Sequence, residues 1–74
     1  MEGVKSAQWW AAHSRNEAQK RVKQAELLVA LFAKCQESGD VRQALLAGAL
    51  ALRADATRFE QFAAGFDRAA AANP

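Results

Sequence analysis

Between Lys5 and Ala72 the chain offers a single place to turn. Proline occurs only at position 74 and glycine at positions 3, 39, 48 and 65, so the one segment that combines turn-forming residues is Glu37-Ser38-Gly39-Asp40. Both flanks are dominated by alanine, leucine, glutamine, lysine, arginine and glutamate, and neither alternates as a strand does. Two helix-forming runs joined by one short turn fold back on each other. The expected fold is therefore all-α, an antiparallel two-helix hairpin of the coiled-coil kind, with helices over about 5–37 and 41–71. At ~1.5 Å per residue each would be roughly 45–50 Å long. Gly39 is expected to close the first helix in the left-handed conformation and Asp40 to cap the second, with Gln43 placed for the return bond of a capping box.

The chain has 74 residues and a net charge of +2, room for one domain, 1–74. Alanine makes up 19 of its 38 hydrophobic residues, leaving 19 larger apolar side chains for a core. Scaffolds this small commonly need disulfides, a metal or a partner. A lone cysteine, Cys35, cannot form an internal disulfide, and one histidine with one cysteine cannot supply a tetrahedral zinc site. A partner is then the expected source of stability, with no cofactor and no metal. The opening Met1-Glu2-Gly3-Val4-Lys5 lacks the apolar stretch of a signal peptide, and no run approaches the ~20 residues that cross a bilayer. A cytoplasmic location without membrane insertion is expected, where a free thiol stays reduced.

Three-and-four spacing places Ala11, Ala18, Val22, Ala25, Val29 and Phe32 on the seam of the first helix. Leu45, Gly48, Leu52, Phe59, Phe62 and Phe66 do the same on the second, with Ala49, Ala56, Ala63 and Ala70 repeating every seven residues beside them. Folding at the turn pairs positions whose numbers sum to about 78. Phe32 and Val29 should then face Gly48 and Ala49, while Phe59, Phe62 and Phe66 face Ala18, Arg15 and Ala11 or Ala12. Large would meet small at both ends, as dense packing requires. Trp9 and Trp10 would lie near Phe66 and Ala69 and plug the open end.

The hairpin leaves hydrophobic surface over. Leu27-Leu28-Val29-Ala30-Leu31-Phe32 is apolar around its whole circumference, more than one neighbouring helix can cover. With Val29 and Phe32 on the seam, Leu27 and Leu31 point away from it, as do Leu46 and Leu50 on the second helix. These four leucines are the candidate partner-binding residues, expected as one patch near the turn. No catalytic constellation accompanies them. His13 reads as a lone solvent-facing residue, and Cys35 lies near a helix C-terminus, the wrong pole for a reactive thiolate. Arg15, Lys20, Arg21 and Lys23 form a basic cluster, with Arg58 expected close by across the hairpin. Glu17 and Glu26 interrupt it and no aromatic is interleaved, which disfavours nucleic-acid binding.

The turn Gly39-Asp40-Val41-Arg42-Gln43 and the segment His13-Ser14-Arg15-Asn16-Glu17-Ala18 resemble the YscE-like co-chaperones of the type III secretion needle. The similarity extends to hairpin layout and turn position over about 60 residues. It implies a non-enzymatic protein that pairs with a tetratricopeptide-like, helical-repeat chaperone and helps hold the needle subunit monomeric in the bacterial cytoplasm. The chain departs from that family in its high alanine content and its adjacent Trp9 and Trp10, so the partner-binding leucines rest on the patch argument and not on family positions. The alternative is self-association of the same leucines into a homodimeric four-helix bundle, structural or RNA-binding.

Overall fold

The computed structural model describes residues 5–72; the segment Met1–Val4, part of the signal-peptide reading, lies outside them. Two helices, α1 (Ala7–Lys34) and α2 (Gly39–Ala72), pack antiparallel over their full length as the expected all-α hairpin. The 34 residues of α2 account for the long axis of a body measuring 54 × 21 × 14 Å. Its thickness is that of one layer of helices.

The first helix starts where its backbone finds a cap. Ser6 is extended and its hydroxyl accepts a hydrogen bond from the Trp9 N–H at 3.0 Å, one of the N–H groups a helix start leaves unpaired. The turn departs from the sequence expectation. α1 ends at Lys34 and Cys35 is extended, so 35–37 do not continue the helix. Gly39 is not left-handed; it is the first residue of α2, whose Arg42 N–H bonds to the Ser38 carbonyl at 3.2 Å. Asp40 therefore lies within the first turn instead of capping it, its charge still favourable at the positive helix pole. A side chain replaces the glycine cap. The Arg42 guanidinium donates to the Cys35 carbonyl at 2.9 Å and lies over the Phe32 ring at 4.4 Å, joining the end of α1 to the start of α2.

The seam is made of small residues on both sides. The buried positions are Ala11, Ser14, Ala18 and Ala25 on α1 and Ala49, Ala56 and Ala63 on α2. Alanine at every seventh position of both helices lets the two backbones approach closely, which leaves no space between them for a ring. The expected pairing of large with small is therefore corrected. Val29 is 46% and Phe62 47% exposed, and both lie beside the seam instead of in it. Leu28, not Val29, reaches Gly48, where its Cδ1 would stand 3.0 Å from a Cβ added to that glycine. Phe59 packs under the Arg21 guanidinium at 4.3 Å.

Candidate functional site

With alanine occupying the seam, the larger apolar side chains fall into flanking stripes, and among the described residues none is fully buried. Residues seven apart share a stripe, so a few contacts fix which face each stripe belongs to.

One broad face is marked by the contacts of Trp10 with Phe66, of Arg21 with Phe59 and of Leu28 with Gly48. It carries the stripe Leu45, Leu52, Phe59, Phe66, all half-buried, and Phe62, which meets Phe59 edge-on with ring centroids 5.6 Å apart. Leu31, in the stripe of Glu17, borders this face at 47% exposure. The opposite face is marked by the ion pair of Arg15 with Asp67 and by a shallow groove in which Val22 and Lys23 of α1 meet Glu60 of α2. Leu46 shares the stripe of Glu60 and Asp67. At the turn end of that face Leu46 and Leu50 line a second groove with Phe32, Arg42 and Gln43.

All four candidate leucines are exposed, from 42% at Leu46 to 62% at Leu50, as the sequence indicated. They do not form one patch. Leu46 and Leu50 share the turn-end groove, whereas Leu27 and Leu31 do not line it. Leu31 borders the other face, and Leu27 stands on the outer side of α1 in the stripe of His13 and Lys20. The rotation of the helices causes the split: with Ala25 and Ala49 buried in the seam, the leucines stand at different angles from it on their own helices.

The basic cluster is largely neutralised. Arg15 pairs with Asp67, and Glu17 takes hydrogen bonds from Arg21 at 2.7 Å and Lys20 at 3.4 Å. Those bonds, Arg21 first, hold the Glu17 carboxyl below its ordinary range. Arg58 pairs along its own helix with Asp55 at 3.8 Å. Arg21 does meet an aromatic ring, Phe59, supplied by the other helix and therefore invisible in linear spacing.

At the open end the aromatics form a cluster that includes His13. Its ring stacks on Trp9 with centroids 5.0 Å apart and meets Trp10 edge-on at 5.7 Å, so it is half-buried and not solvent-facing. Helical spacing of four and three residues produces those contacts. Trp9 and Trp10 remain 42% and 41% exposed, covering the end of the hairpin instead of plugging its interior. Sequence reasoning missed Ser6, Arg42 and the Trp9–His13 stack; a serine three residues before Trp9 was the available signal for the first. Among the described residues no three of His, Cys, Asp or Glu gather as a metal site, and no helix is long and apolar enough to cross a membrane.

Comparison of the chain with protein-family models, curated proteins and solved structures finds no match.

Proposed function

We propose that this chain is a non-enzymatic docking protein whose larger apolar side chains complete their burial against another helical protein. The observation that carries the reading is the complete absence of a large, fully buried side chain among the described residues. A single helical layer can bury only its seam, and this seam is alanine. Apolar groups spread along both flanks then gain stability when a partner covers them, and the partner is stabilised in return.

The resemblance of the turn and of His13–Ala18 gives the partner a class. The chain acts as a co-chaperone in the bacterial cytoplasm, pairing with a tetratricopeptide-like chaperone and helping to keep a type III secretion needle subunit monomeric. The turn-end groove of Phe32, Leu46 and Leu50 is the contact best suited to an apolar ridge on such a partner, with Arg42 and Gln43 at its polar rim. The reading is tested by co-expression with a tetratricopeptide-like chaperone encoded beside the chain. The chain is expected to co-purify in fixed stoichiometry, and Leu46→Glu with Leu50→Glu to be lost from the complex while remaining helical. A well-folded chain that fails to co-purify overturns the proposal.

A further inference from the structure

The grooved face that carries Leu46 and Leu50 also carries one free charge of each sign. Glu26 of α1 lines it beside Gln19, and Arg53 of α2 shares the stripe of Leu46 and Glu60. Both are exposed, and neither forms an ion pair among the described residues. We infer that, when no other partner is bound, this face takes a second copy of the chain, related by a two-fold axis parallel to the helices, in a four-helix bundle.

The levels of the residues along the hairpin select the occupant. Residues that touch across it have numbers summing to 76–82, as Leu28 with Gly48 and Arg15 with Asp67 do. By that rule Glu26 stands level with Arg53, Val29 with Leu50 and Ala33 with Leu46, and all six are exposed. Val29 belongs to this face through the stripe of Arg15 and Val22, Ala33 through that of Gln19 and Glu26. An axis parallel to the helices keeps like ends together and lays α1 of each copy antiparallel on α2 of the other. Level then meets level between copies. Glu26 of each comes against Arg53 of the other, Val29 against Leu50 and Ala33 against Leu46, and every pairing occurs twice, as an isologous contact requires. An axis across the helices would instead set α1 on α1 and α2 on α2, separating Glu26 from Arg53. At full overlap it would also lay the apolar turn end on Arg15 and Asp67. Opposite free charges at one level, one on each helix, are matched by the parallel axis alone.

The inference does not rest on the chaperone reading. Its test uses the chain alone, so each can fail without the other. Sedimentation of the whole chain over about 1–200 µM, in reducing buffer so that Cys35 cannot link copies, should give twice the monomer mass at the upper end. A monomer throughout overturns the inference. Glu26→Arg and Arg53→Glu should each weaken self-association by about tenfold or more, because each puts like charges together twice. Both sites are exposed, so the hairpin itself tolerates the changes. Mixed one to one, the two variants should form a heterodimer, since both pairs are then complementary. Failure of the mixture to associate more tightly than either variant alone refutes the pairing between copies; a Glu26–Arg53 bond within one chain could not be restored by mixing. Asp55→Arg, on the other face, should leave the dimer unchanged. If it breaks the dimer while Glu26→Arg does not, the contact lies on that face and the proposal is wrong.

Discussion

Replacing Ala56 by leucine adds three carbon atoms at a point where the two helices touch. Ala56 is 3% exposed, midway along the α2 seam and between Ala49 and Ala63. Leucine is almost as good a helix former as alanine, so the helix itself loses little. Burial of the added carbons could return ~0.8 kcal/mol each, but only if there were room for them. Between two alanine stripes there is none, and separating the helices withdraws contact along their whole length. Overpacking of this kind costs about 1–3 kcal/mol. A domain of this size has a stability of roughly 3–5 kcal/mol, so the variant should lose around half of it. The comparison is Phe62→Ala. Full burial of a phenylalanine is worth ~1.5–3 kcal/mol, and with Phe62 47% exposed its removal should cost only about 1 kcal/mol. Thermal unfolding followed by circular dichroism at 222 nm, at concentrations where sedimentation gives the monomer mass, should show a Tm lower by ~8–16 °C for Ala56→Leu and by ~4–8 °C for Phe62→Ala. If Phe62→Ala proves the more damaging by 2 kcal/mol or more, or Ala56→Leu is neutral, the seam is loose and the packing account is wrong.

Three further outcomes are expected. Gly65→Ala should raise stability by ~0.5–1 kcal/mol in urea denaturation, because its helical site has room, the nearest atom to an added Cβ being Arg68 Nη2 at 3.7 Å; a loss would show that the glycine is needed. Arg42→Ala should cost about 1–2 kcal/mol through the Cys35 carbonyl bond and the Phe32 stacking, and speed amide exchange around the turn, with Arg42→Lys restoring only part; unchanged exchange would discount the cap. The Glu17 carboxyl should titrate below its ordinary value of 4.5 by carbon-13 NMR. Since its folded pKa lies below the unfolded one, its stabilising contribution is complete above the unfolded value and disappears as the pH falls through the folded value; Glu17→Gln should lack that acid-limb slope, and a midpoint at or above 4.5 would mean the bonds to Arg21 and Lys20 do not form.

Fold class was readable because one cluster of turn residues between two helix-forming runs leaves a single topology. The helix ends were less so. Gly39 carries the usual signal of a helix stop, yet α1 already stops at Lys34, with Cys35 extended and its carbonyl held by the guanidinium of Arg42 from the far side of the turn. The rotation of the seam failed for a related reason. Periodicity marked both the alanine stripes and the stripes of larger residues, and size alone favoured the larger ones for the core. Close approach of the backbones decides otherwise, since seven-residue alanine repeats on both helices match each other better than phenylalanine matches alanine. Exposure of Leu27, Leu31, Leu46 and Leu50 was legible from composition, whereas their separation, Leu46 and Leu50 in the turn-end groove, Leu31 beside the other face and Leu27 on the outer side of α1, depends on the rotation of each helix about the alanine seam.

The aromatic cluster at the open end determines what spectroscopy will report. Both tryptophans of the chain sit within one turn of Ser6, Trp9 on His13 and Trp10 against Phe66, at the end farthest from the turn. Intrinsic fluorescence is therefore a local probe of the hairpin's mouth, while circular dichroism averages over both helices. Fraying that begins at the mouth will move the emission before the helical signal changes. Two non-coincident melting curves for this chain would then describe end-to-end unzipping, without requiring a distinct folding intermediate.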